Sequence, residues 1–291
     1  MNMRKLKLVL VICIFTAKSS SAQFENTDIG ARAIGLNGAF TSHANNSLAI
    51  FYNPSGLGQL KYREVSAFYS PSQFGISEIS TVALTYAEPL GTGTFGFGIK
   101  AYGFDLYRET NAVLSYGNNF KDKIFFGLNL DFYNLSIKNY NSASAFGADI
   151  GSLAYITDFL KWGFYAKNIS GAKIGESKHR IAQVYRTGFT IQPRNDVALI
   201  LEVEKDTKFP LSFRSGLEYS VNDFIDLRGG VATQPASFSG GVSINYNLFQ
   251  IEYAVNNYRE LGFSNYASLT INFGGGKARK FAREQLKNAF R

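Results

Sequence analysis

The sequence is poor in the residues that do covalent or metal chemistry. Its 291 residues include one cysteine and two histidines, too few for a His- or Cys-based metal site. Only 6 prolines are present, which leaves no Pro-rich linker. Charged residues make up 18%, below the roughly 25% of ordinary soluble domains. Beyond residue 22 no apolar run is long enough for a membrane helix. What is abundant is aromatic and glycine content: 26 Phe, 17 Tyr and 28 Gly. That mixture is too apolar for a disordered chain and favours extended sheet.

The first residues read as a processing signal. Arg4, Lys5 and Lys7 precede the short apolar run from Leu8 to Ala17, and Ser20, Ser21 and Ala22 supply small residues for cleavage. This is the pattern of a secretory signal peptide, residues 1–22, cleaved near Ala22. Bulky Ile12 stands before Cys13 and the apolar run before it is short, which argues against a lipoprotein signal. Removing residues 1–22 deletes Arg4, Lys5, Lys7 and Lys18 and takes the formal charge from +8 to +4. Residues 277–291 hold six cations against Glu284, a net +5, so residues 23–276 are near −1. The basic balance belongs to a leader and a tail and is no argument for nucleic-acid binding.

The body alternates. Ile124, Phe126, Leu128, Leu130 and Phe132 fall on one face of a strand, with Phe125, Gly127, Asn129, Asp131 and Tyr133 on the other. Phe95, Phe97 and Ile99 oppose Gly96, Gly98 and Lys100 in the same way, and Leu199 and Leu201 oppose Ile200 and Glu202. Segments of about ten alternating residues between turns such as Gly117-Asn118-Asn119 and Pro193-Arg194-Asn195-Asp196 are the pattern of an outer-membrane barrel. Fourteen such segments are predicted, with twelve as the alternative count. A soluble β-sandwich or propeller also alternates, but Tyr69, Tyr86, Tyr116 and Tyr219 near strand ends fit interfacial girdles better. The expected architecture is all-β: a closed antiparallel transmembrane β-barrel over residues 61–276, in the outer membrane of a Gram-negative envelope. Charges facing lipid would cost about 2–4 kcal/mol each for Lys or Arg. Lys100, Asp131, Asp149, Lys167, Glu202, Glu204, Arg214, Glu218, Arg228 and Glu252 are therefore assigned to a lumen charge network, either a neutralising scaffold or a permeation constriction.

Catalytic motifs are missing. Gly91-Thr92-Gly93-Thr94-Phe95-Gly96 fits G-x-G-x-x-G but enters a strand and not a helix, so it offers no phosphate cradle. No serine sits in G-x-S-x-G and no H-E-x-x-H occurs. A barrel phospholipase with a dispersed Ser/His pair is the enzymatic alternative; the expectation is a protein that is not an enzyme and uses no cofactor or metal.

Between the leader and the first strand lie Asp28-Ile29-Gly30-Ala31-Arg32-Ala33-Ile34-Gly35-Leu36-Asn37-Gly38-Ala39-Phe40 and then Phe51-Tyr52-Asn53-Pro54-Ser55-Gly56-Leu57. This resembles the start of FadL-like outer-membrane barrels, including the PorV/PorQ group of the Bacteroidetes type IX secretion system. Asn45-Asn46, where acidic residues are common in that family, and Ser55, where Ala is more frequent, depart from its pattern. The resemblance implies a lumenal hatch over residues 23–60, with Gly30, Arg32, Gly35, Gly38, Phe51, Tyr52, Asn53, Pro54 and Gly56 as its motif. It also implies either a secretion component with secretion-system proteins or cargo as partners, or a passive transporter of small hydrophobic ligands. The second role would suit an apolar pocket above Phe51 and Tyr52. Residues 277–291 are expected to form a basic amphipathic periplasmic helix, free to meet a partner or anionic lipid.

Overall fold

The computed structural model describes Phe24, Glu25 and residues 28–73, 76, 78–176 and 178–291. The expected signal peptide and its cleavage point lie outside the described residues. Fourteen antiparallel strands form the wall. Their first half is β1 (Glu64–Ser70), β2 (Ser80–Leu90), β3 (Gly93–Phe104), β4 (Tyr107–Phe120), β5 (Ile124–Ile137), β6 (Ala143–Tyr155) and β7 (Leu160–Lys167). A two-residue hairpin, β8 (Lys173–Ile174) and β9 (His179–Arg180), interrupts the series. The second half is β10 (Val184–Arg194), β11 (Val197–Asp206), β12 (Ser212–Ser220), β13 (Ile225–Thr233), β14 (Ala236–Tyr246), β15 (Phe249–Tyr258) and β16 (Gly262–Asn272). Each wall strand pairs with its sequence neighbours, and β1 closes on β16 from Glu64 opposite Asn272 to Tyr69 opposite Ala267. The count is fourteen, not twelve. A closed wall leaves no strand edge unpaired.

Side chains divide as the alternation requires. On β5, Ile124, Phe126, Leu128, Leu130 and Phe132 are exposed on the outer face, whereas Phe125, Asn129, Asp131 and Tyr133 are buried in the lumen. The outside of the barrel is an apolar band and its inside is polar, the reverse of a soluble globule. The ends also differ. Short turns such as 91–92, 121–123 and 195–196 define one end, called here the turn end; the longer connections 71–79 and 168–183 lie at the other, the loop end.

Residues 28–60 run inside the barrel as α1 (Ala31–Gly35), α2 (Ala49–Tyr52) and a 3-10 helix (Pro54–Gln59), nearly all buried. Space for them comes from inward-facing glycines of the wall. A Cβ at Gly127 would sit 2.2 Å from Pro54 C and Ser55 N, and one at Gly230 would sit 2.4 Å from Leu36 C. These positions need hydrogen as a side chain because a second backbone passes there.

The chain entering this segment and the chain leaving the last strand are at opposite ends. Phe24 packs with Tyr133, Leu135, Ile174 and Ile181 at the loop end. After β16 the chain turns at Gly275, whose φ of +54° suits glycine, into α3 (Gly275–Asn288) at the turn end. The shared side of the two ends of the barrel, which an even strand number sets, therefore does not extend to residue 24: the lumenal segment has crossed the barrel. β16 ends at Asn272 just before the glycines 274–276, and Gly275 and Gly276 form the first turn of α3, where the N–H groups need no intrahelical partner.

The contact at Gly127 makes a direct test. Gly127→Val should leave the barrel assembled but expel the 3-10 helix, costing about 1–3 kcal/mol as overpacking. The measurement is protease sensitivity of residues 28–60, with heat-modifiable mobility as the assembly control. Gly229→Ala, where a Cβ meets nothing closer than 3.9 Å, should behave as the parent.

Candidate functional site

The lumenal segment is held by side chains of the wall. Arg32 makes a fork to Glu218 on β12, with Nε and Nη2 each 2.9 Å from a carboxylate oxygen, and its Nη1 donates to Asn45 at 2.7 Å. Glu202 on β11 accepts the backbone N–H groups of Phe40 and Thr41 at 3.1 and 2.8 Å. Glu64 on β1 accepts the N–H of Ser47 at 2.8 Å, and Asn129 on β5 donates to the carbonyl of Ile50 at 2.8 Å. Such a chain cannot pair its own backbone in regular fashion, so buried wall polar groups complete it.

Within the segment the motif residues close it on itself. The Tyr52 hydroxyl donates to the carbonyl of Ile29 at 2.9 Å and accepts from its N–H at 3.0 Å. Asn53 donates through its side-chain amide to the carbonyls of Thr41 and Ser152 at 2.9 and 3.1 Å, and its Oδ1 caps the 3-10 helix by accepting the N–H of Ser55. Pro54 starts that helix, where its missing N–H costs nothing. Phe51 packs in the space left by Gly98, and Gly56 passes against the carbonyl of Ala44. Gly30 and Gly38 hold positive φ of +81° and +75°, and Gly35 meets Gly241 on β14.

The charged residues assigned to the lumen all point inward; besides Glu202, which holds the backbone of Phe40 and Thr41, they fall in three groups. Toward the loop end, Glu204 lies 2.5 Å from Arg186 and 2.7 Å from Arg214, and Arg214 lies 3.3 Å from Asp28. Toward the turn end, Glu218 joins Arg32, Arg228 at 2.6 Å and His43 at 3.0 Å, and Arg228 reaches Glu252 at 3.4 Å. Across the lumen, Lys100, Asp131, Asp149 and Lys167 gather beside Ile50 and Phe51 around a space of only about 10 Å³. There the aspartates accept neutral donors: Asp149 from Asn129, Tyr165 and the N–H of Asn168, Asp131 from Asn111. The apolar pocket above Phe51 and Tyr52 that would have favoured the transporter role is not found there, because polar wall side chains close over α2.

The large cavity lies elsewhere. It measures about 530 Å³ at the loop end, with Tyr102, Val184, Phe209, Pro210 and Leu261 among its walls and Asp28, Asn37, Glu204 and Arg214 beneath. Glu25, Glu109 and Asp206 also line it. The opposite mouth is covered. Leu286 of α3 packs on Phe125, Leu153 and Tyr155, Gln285 donates to the carbonyl of Gln59, and Arg283 binds Asp226 at 2.9 Å and Asp223 at 3.1 Å. The helix expected over residues 277–291 thus begins at Gly275 and docks on its own barrel, because the mouth offers it an apolar seat and two aspartates.

With this geometry the chain can be set beside known proteins. No protein-family model matches the sequence, and no curated protein matches it. Solved structures match in fold. The CymD monoaromatic hydrocarbon channel gives a TM-score of 0.63 at 12% identity, over 86% of this chain and 99% of that one. The toluene transporter TodX of Pseudomonas putida gives 0.62 at 10% identity, over 86% and 98%. A FadL homologue of Pseudomonas aeruginosa gives 0.60 at 11% identity, over 84% and 99%. The chain has the fold of FadL-type outer-membrane channels.

Asp28, Glu64, Glu109 and Arg186 were not among the assigned charges, although each meets the segment or the cavity. Glu109 and Arg186 stand at inward positions of β4 and β10, so strand parity carried to the strand ends finds them; Asp28 lies outside any strand and has no such signal.

His43 gives a pH test. Burial pushes its imidazolium down to about 4, against the pull of Glu218 and with Arg32 and Lys161 adding repulsion. The unfolded chain takes up this proton near 6.5 and the folded chain near 4, so stability is full above pH 6.5 and falls as pH drops toward 4. The loss should be on the order of 3 kcal/mol. Thermal melts in detergent between pH 7.5 and 4 should show it, and His43→Gln should flatten that part of the profile.

Proposed function

We propose that the chain is a passive channel of the outer membrane for small hydrophobic and amphipathic molecules, and not an enzyme. The observation that carries this is the cavity of about 530 Å³ at the loop end. Its size is that of small-molecule sites in general, and apolar walls over a few polar groups are their usual composition. With short turns toward the periplasm and longer loops outward, this cavity faces the exterior and α3 faces the periplasm. The exposed apolar band of the wall, including Phe126, Leu130, Leu217 and Ile251, suits the lipid that surrounds such a barrel. The matched channels, named for monoaromatic hydrocarbons and toluene, support the same reading.

Residues 28–60 and α3 fill the straight path beneath the cavity, so the chain receives a solute outside and passes it on only when part of that filling moves. The secretion role implied by the N-terminal motif draws no support from the matched structures. The motif residues Arg32, Tyr52 and Asn53 are occupied in seating the segment.

Cells carrying the chain in their outer membrane should take up dilute radiolabelled toluene several-fold faster than cells without it. Ala232→Trp, which places an indole in the cavity, should slow that uptake. Equal uptake with and without an assembled barrel refutes the proposal.

A further inference from the structure

The cavity has a charge asymmetry that its apolar walls do not require. Among the described residues, five carboxylates line it, from Glu25, Asp28, Glu109, Glu204 and Asp206, against the one guanidinium of Arg214. Two more cations reach these carboxylates: Arg186, on Glu204 and 3.8 Å from Asp28, and Lys208, 3.4 Å from Glu25. Lys100 and Lys167 also attract Glu109, but they come with Asp131 and Asp149 around the adjoining small space, so the four together leave the balance unchanged. Five acids and three bases leave the cavity electronegative, inside low-dielectric walls that weaken screening.

Glu109 is the sharpest case. Its residue is 2% exposed, and one carboxylate oxygen accepts both the N–H of Phe24 at 2.9 Å and the Tyr107 hydroxyl at 2.5 Å. Its other oxygen is buried with no hydrogen-bond partner among the described residues. A buried, half-satisfied carboxylate is costly unless something positive or hydrogen-donating comes to it. Burial also holds the Glu25 carboxyl above the usual range despite Lys208, and Asp206 and Glu109 push it further up. The same cavity presents the aromatic rings of Tyr102, Phe209 and Tyr258, and aromatic faces beside carboxylates are the combination that receives an organic cation.

Resting on the transport reading, we infer that the preferred solute is a cationic amphiphile, an alkyl or aryl amine whose ammonium group meets Glu109 and its neighbouring carboxylates while its apolar body lies on the aromatic wall, and that carboxylate amphiphiles are rejected. Rejection follows from the same charges, because an anion would add a sixth negative group to a site with too few cations.

Three probes of one skeleton test this: 3-phenylpropylamine, 3-phenylpropanol and 3-phenylpropionate. Each is titrated calorimetrically at pH 7.5 into the full chain in lipid nanodiscs, with empty nanodiscs subtracted. The amine should bind about tenfold more tightly than the alcohol, the scale of a partly desolvated cation–carboxylate and cation–π contact. The carboxylate should bind more weakly than the alcohol. Glu109→Gln keeps an acceptor for Phe24 and Tyr107, and it should bring the amine-to-alcohol ratio toward one, as should Asp206→Asn. Heat-modifiable mobility checks that both variants assemble, and the three-probe comparison on the parent chain stands without them. Equal binding of amine and alcohol, as expected if the chain's own cations already satisfy the carboxylates, overturns the inference. Carboxylate binding as tight as that of the amine does the same. In either case the transport reading stands, whereas failure of all three probes to bind removes both.

Discussion

A chain that runs irregularly through the inside of a closed barrel must give its backbone hydrogen bonds to the wall, and most of this structure follows from that. Regular strands satisfy one another and need nothing from their side chains. Residues 28–60 have only two short α-helices and a 3-10 turn, so many of their N–H and C=O groups depend on inward side chains. Glu202, Glu64 and Asn129 act as such partners, and a charged acceptor on an amide makes a stronger bond than a neutral one. The lumen charges do both jobs: Glu204 joins Arg186 and Arg214 within the wall, while Glu218 holds Arg32 and Glu202 caps Phe40 and Thr41 of the segment. The wall answers the same constraint with absence: at Gly127 and Gly230 a side chain would occupy the space through which the second backbone runs.

The two mouths follow different logic. At the turn end, α3 brings a leucine to an aromatic cluster and an arginine to two aspartates, so burial and charge both hold it in place. At the loop end the walls stand apart and the charges do not balance. An interior that is packed and neutralised at one end and open and acidic at the other has a direction.

The N-terminal motif illustrates how little a short sequence block says about ligand. Arg32, Tyr52, Asn53 and Pro54 each have an evident task in folding or seating the segment. A block that solves the problem of placing a chain inside a barrel is available to any protein with that problem, whether it moves hydrocarbons or serves secretion. Asp28 and Asn37 of that block lie beneath the cavity, but its walls come from residues scattered over β3, β4, β10 to β15 and the 207–211 connection, which share no contiguous motif.

Alternation in segments such as Ile124–Tyr133 determined the barrel and the orientation of nearly every wall residue, because a strand's side chains have a period of two and lipid admits only apolar ones. The inward placement of Lys100, Asp131, Glu202, Arg214 and the rest was legible for the same reason. Partners were not. Whether Glu218 meets Arg32 or Glu202 caps Phe40 depends on the path of residues 28–60 across the lumen, which brings together positions 160 to 190 residues apart. The docking of α3 was hidden likewise: helical spacing marks an apolar face but not what covers it. The site of the cavity was decided last, by where the folded segment stops filling the barrel, a property of packed volume that no periodicity records.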